Sequence, residues 1–122
     1  MLFAIASLAL ALLVGAPADV TGKWEGTLTG QRPDGTTSED PAYMVLVQKG
    51  TTVTGTVGGN VDDQHPITSG SIDGAKLTLL AKNANNDREY KIELTLDGDD
   101  VMKGTVTSGE RTGQVAVKRL KQ

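Results

Sequence analysis

Glu89-Tyr90-Lys91-Ile92-Glu93-Leu94-Thr95-Leu96 alternates without a break. Tyr90, Ile92, Leu94 and Leu96 fall on one face; Glu89, Lys91, Glu93 and Thr95 fall on the other. A period of two belongs to a strand with one buried face. Asp97-Gly98-Asp99-Asp100 follows, a turn composition. Residues 101–107 and 114–120 then read as two more strands.

The same grammar runs backwards from Glu89. Residues 67–72 and 77–81 flank Asp73-Gly74-Ala75-Lys76, so Gly70, Ile72, Leu77 and Leu79 share a face whether that turn has two residues or four. Residues 42–48 and 51–58 flank Lys49-Gly50. Read as a two-residue turn, that dipeptide sets Leu46 opposite Val53 and Met44 opposite Gly55. Met44, Leu46, Val53 and Val57 then point one way, and Tyr43, Val45 and Val47 the other. Residues 20–30 alternate too, with Val20, Gly22, Trp24, Gly26 and Leu28 on one side. Residues 31–40, 58–66 and 82–87 are polar and read as loops. The second of these contains Asp62, Asp63 and His65.

This makes about eight antiparallel strands joined in sequence, with no helical period to cover their apolar face. Such a sheet closes on itself or folds into two stacked layers. Short sequential links favour an up-and-down meander closed into a small barrel. Two segments of the same pattern support closure: Val53-Thr54-Gly55-Thr56-Val57 and Met102-Lys103-Gly104-Thr105-Val106. A glycine inside a strand weakens it but permits sharp coiling.

The N-terminus stands apart. The first 18 of the 122 residues carry no charge. Residues 1–14 form an apolar run, short of the roughly 20 residues a bilayer span needs, and Ala16-Pro17-Ala18 matches a small-x-small cleavage site. The reading is a signal peptide over 1–18 and a β-barrel domain over 19–122, secreted or periplasmic, with no membrane attachment in the mature form. No cysteine lies near the cut to carry a lipid.

Composition narrows function more by exclusion than by motif. There is no Cys, so disulfides, thiolate metal sites and a cysteine nucleophile are out. A single His makes histidine-dependent catalysis a poor basis for function. The net charge of −3 gives no attraction for nucleic acid. Asp62, Asp63 and His65, and separately Asp97, Asp99 and Asp100, are short acidic groups that turn chemistry accounts for. No metal, cofactor or catalytic residue is assigned. The inward positions sketch an apolar interior instead. Trp24, Met44, Leu46 and Leu77 lie on it, as do Leu79, Ile92 and Leu94. If the interior is open, its ligand is a small apolar molecule. The alternatives are a protein partner, a filled structural core, and, last, a hydrolase.

Gly22-Lys23-Trp24 on the first strand and Arg119 on the last resemble the lipocalin, avidin and fatty-acid-binding superfamily. There a first-strand Trp closes one end of the barrel and a last-strand Arg packs across it. The resemblance implies that Trp24 and Arg119 form a structural pair. Trp24-Glu25-Gly26, Gln48-Lys49-Gly50 and Gly55-Thr56 are also similar to small exported bacterial barrel domains of unknown function. The chain lacks the helix that follows a lipocalin barrel, and a lone Trp argues against an avidin-type biotin site. Mass spectrometry of the exported protein is expected to find a chain that begins at Asp19; a full-length, membrane-retained chain contradicts the signal-peptide reading.

Overall fold

The computed structural model describes residues 19–31, 34–83, 87–109 and 111–120. The apolar segment 1–18 lies outside the described residues, and with it the proposed cleavage site. Eight strands follow one another: β1 (Gly22–Gln31), β2 (Thr37–Lys49), β3 (Thr52–Asn60), β4 (Asp63–Asp73), β5 (Lys76–Lys82), β6 (Glu89–Leu96), β7 (Val101–Ser108) and β8 (Arg111–Arg119). Each pairs antiparallel with the next, and β8 pairs with β1, so the sheet is a closed up-and-down barrel. No helix is present among the described residues.

Alternation places the core. Trp24, Val53, Leu77, Leu79 and Met102 are fully buried, and Leu46 and Leu94 are 1% exposed. All lie on the inward parity of their strands. Removing such side chains from water contributes about 1.5–3 kcal/mol each. The two glycines of the repeated pattern set the coiling. A Cβ on Gly55 would collide with the carbonyl oxygen of Val45, and one on Gly104 with that of Glu93. Both neighbouring backbones therefore press in where a side chain would stand.

Three local details differ from the sequence reading. The β2–β3 turn is Gly50-Thr51, because Lys49 pairs with Thr52 and Leu46 with Gly55. The first loop position has a φ of +62°, which Gly50 accepts and Lys49 would not. Moving the turn by one residue leaves every inward residue inward, because each even position still pairs with an odd one. Residues 37–40 are not loop but the start of β2, paired with residues 28–31 of β1. Residues 58–60 and 63–66 likewise belong to β3 and β4, which meet in a tight turn. There the Asn60 side-chain oxygen accepts from the N–H groups of Asp62 (2.9 Å) and Asp63 (3.0 Å). Both stretches lie at one rim of the barrel, where few residues are buried. The backbone ladder continues there without any apolar alternation to announce it.

Gly104→Ala is expected to cost about 1–3 kcal/mol, the usual penalty of overpacking. Gly30→Ala, whose Cβ would meet only the Ser38 hydroxyl at 3.3 Å, is expected to be nearly neutral. Urea denaturation of the two variants checks the contrast.

Candidate functional site

The two ends of the barrel are built differently. At one end Trp24 and Arg119 face each other across the β1–β8 ladder. The guanidinium carbon stands 4.5 Å from the centre of the indole ring, within cation–π range. The indole N–H donates to the carbonyl of Val20 at 2.9 Å, so the buried ring has its one polar group satisfied. Arg119 also donates to three backbone carbonyls: Thr21 (2.6 Å), Asp19 (2.7 Å) and Asp99 (3.0 Å). Its Nε lies 3.3 Å from a carboxylate oxygen of Asp100. One side chain thus ties the segment before β1, the β6–β7 turn and the end of β8 to the ring.

Gly22 makes room for it. A Cβ there would stand 3.3 Å from Arg119 Nη1, and its φ of +142° disfavours a side chain in any case. Asp19 completes the clasp. Its carboxylate accepts the N–H of Thr21 at 2.9 Å. That bond, the Thr21 hydroxyl and the nearby Arg119 charge hold the Asp19 carboxyl below the usual carboxylate range against a small opposing effect of burial.

Leu46, Leu77, Leu79 and Leu94 pack with Trp24 in the same cluster and take no part in the cavity wall. Toward the other end the interior opens. Leu28, Met44, Val57, Ile92, Val106 and Val115 surround a cavity of about 290 Å³. Met44, Val57, Ile92 and Val115 are 4–7% exposed, against 0–1% for the leucines of the closed half; they pack into the same cluster on one side and border the cavity on the other. Asp40, Asp63, His65 and Tyr90 stand at the rim. A second space of about 270 Å³ adjoins the first, sharing Leu28, Asp40, Tyr90 and Val106, and runs out between Arg88 and Arg111.

The seven interior positions named from sequence therefore divide. Met44 and Ile92 are on the cavity wall. Trp24, Leu46, Leu77, Leu79 and Leu94 belong to the closed half. Strands in a closed barrel tilt against its axis, so a row of ladder partners climbs around the wall. Parity alone says inside or outside; it does not say how high.

His65 is the residue the sequence reading missed. The structure takes it out of a solvated loop and puts it on β4 opposite Val57, with its side chain only 14% exposed. Its Nε2 lies 3.2 Å from a carboxylate oxygen of Asp63. Its Nδ1 is buried without a hydrogen-bond partner. Alternation could not have found it: Gly70 and Ile72 set the inward face of β4 on even positions, and the register shift against β5 between Ile67 and Ser69 turns the odd positions Ile67 and His65 inward. Gln64 was missed as well. It accepts from the Thr56 hydroxyl at 2.8 Å and donates to the carbonyls of Tyr43 (3.1 Å) and Asn60 (2.8 Å), latching the rim hairpin to β2. Among the described residues no three His, Cys, Asp or Glu side chains gather to hold a metal; Asp62, Asp63 and His65 do not, and neither do Asp97, Asp99 and Asp100. No charged side chain is buried among them.

The closed barrel has a counterpart among solved structures. The fold is that of a SAHS protein. The "secretary abundant heat soluble (SAHS) protein" of Ramazzottius varieornatus superposes with a TM-score of 0.52 at 12% identity, covering 86% of this chain and 98% of that one. The barrel is in this sense calycin-like, and at that identity the likeness is one of fold alone. No family model and no curated protein matches the sequence.

Trp24→Ala is expected to cost about 3–5 kcal/mol and to leave the chain marginal or unfolded, given a usual domain stability of about 5–15 kcal/mol. Arg119→Ala is expected to cost less, because part of the guanidinium is solvated. Chemical denaturation of the two variants reads the order directly; a more severe Arg119→Ala contradicts it.

Proposed function

We propose that this chain is an exported binding protein whose barrel holds a small, largely apolar molecule in its open half. The observation that carries this reading is the cavity of about 290 Å³ walled by Leu28, Met44, Val57, Ile92, Val106 and Val115. A cavity of about 150 Å³ lined by aliphatic side chains takes benzene. This one has about twice that volume, enough for a two-ring aromatic or a short acyl chain. Aliphatic walls supply burial and dispersion, and those two terms reward holding a ligand more than transforming it. We therefore assign binding, not catalysis, as the activity.

Two features support the direction of entry. The Trp24 end is sealed by the Arg119 clasp, and its bonds join strand ends that would have to part for a ligand to pass. The opposite rim carries Asp40, Asp63, Arg88 and Arg111 in a mixed polar ring. A rim of that kind stays hydrated while the wall beneath it remains apolar. The apolar segment 1–18 and its cleavage pattern support export.

Titration with the two-ring fluorescent probe 1-naphthylamine tests the proposal. Saturable emission enhancement at one probe per chain is expected. Val115→Phe, which fills the cavity from its wall, is expected to weaken binding about tenfold or more, a loss of about 1.4 kcal/mol, while leaving the fold intact by circular dichroism. Absence of saturable binding, or binding unaffected by Val115→Phe, contradicts it.

A further inference from the structure

The cavity wall is mainly aliphatic, but a polar side chain at its rim has one atom unaccounted for. His65 borders the cavity, and its Nδ1 lies behind the accessible surface of that wall with no hydrogen-bond partner. Its Nε2 stands 3.2 Å from Asp63 Oδ1. A neutral imidazole carries its hydrogen on one nitrogen and a lone pair on the other. A carboxylate beside Nε2 favours the hydrogen there, since an acceptor facing a lone pair is repulsive. Nδ1 is then an acceptor, buried and unpaired, which proteins avoid at such positions. The Asp63 carboxylate itself is 61% exposed, so water serves its remaining lone pairs. The buried atom left wanting a partner is His65 Nδ1.

We infer that the ligand is an apolar alcohol or phenol whose hydroxyl donates to Nδ1 of His65 while its hydrocarbon body fills the space between Met44, Val57, Ile92 and Val115. The inference rests on the cavity reading above and sharpens it from an apolar molecule to an apolar hydrogen-bond donor. Three ligand chemistries separate cleanly at this atom. A hydrocarbon leaves Nδ1 unpaired. A carboxylate sets a negative acceptor against a lone pair. A hydroxyl supplies the missing hydrogen. The terminal torsion of a histidine is broad, so the ring can tilt toward the cavity to present Nδ1 while Nε2 stays beside Asp63.

Naphthalene, 2-naphthol and 2-naphthoate share one ring body and differ in this group alone. Calorimetric or fluorescence titration of the full barrel with each is expected to rank 2-naphthol first, about tenfold tighter than naphthalene, with 2-naphthoate weakest. His65→Phe is expected to erase the preference for 2-naphthol while naphthalene binding stays level or rises. The protein has one histidine, so a long-range proton–nitrogen NMR spectrum reports this ring even if His65→Phe fails to fold. It is expected to show the Nε2–H tautomer, with the Nδ1 resonance shifting when 2-naphthol is added. Equal affinity for naphthalene and 2-naphthol overturns the inference and leaves the cavity reading standing, as do tighter 2-naphthoate, an Nδ1–H tautomer, and a preference that survives in His65→Phe. Failure of all three ligands to bind removes the cavity reading, and the inference with it.

Discussion

The Arg119 guanidinium over the Trp24 ring is the contact on which the rest of the barrel depends. A meander of eight strands closes only where its first and last strands meet, and that seam has no loop to enforce it. β1 and β8 are joined by their ladder from Trp24–Arg119 to Gly30–Gly113. At the Trp24 end the seam is reinforced by one cation, one ring and three carbonyls. An arginine suits the task because its planar fork serves several acceptors while its face stacks on the ring. The stack is worth roughly 1–2 kcal/mol when desolvated, a modest sum. Its importance is positional, since it joins three chain segments that are distant in sequence at one point.

From that plug the asymmetry of the molecule follows. Below the middle of the barrel, large side chains fill the lumen: Trp24, four leucines and Met102. Above it the smaller Ala42, Val57, Val106 and Val115 stand among Leu28, Met44 and Ile92, and the wall no longer closes over itself. At Gly55 and Gly104, the ladder partners of Leu46 and Leu94 in the closed half, the neighbouring backbone takes the space a side chain would need. The cavity is thus a consequence of side-chain size along the strands, with closure at one end preserved by the clasp.

The architecture was legible because alternation is a local signal that survives along most of each strand, Tyr43 beside Met44 and the irregularity in β4 being exceptions. Residues 89–96, 42–48 and 53–57 each carry it, and even the misplaced β2–β3 turn kept all faces correct. The rim was not legible. Residues 37–40, 58–60 and 63–66 pair as strands although they are mostly polar or glycine, so hydropathy says loop where the backbone ladder says strand. His65 was lost by the same effect: set among Asp62, Asp63 and Gln64, it looked solvated. The height of each inward residue was also hidden, because strand tilt separates ladder neighbours along the axis. This is why Leu46 and Leu94 belong to the plug while Met44 and Ile92, two residues away on the same strands, line the opening.

The central claim is physical: the barrel keeps an unfilled apolar space between the Trp24 plug and the polar rim. Xenon enters dry, apolar cavities of this kind and shows at once in diffraction. A crystal of the protein pressurised with xenon tests the claim most directly. The account predicts a strong xenon site among Met44, Val57, Ile92 and Val115, with Trp24 and Arg119 undisturbed. A barrel whose upper half is filled by its own side chains, or by a chain of ordered waters with no xenon, contradicts it.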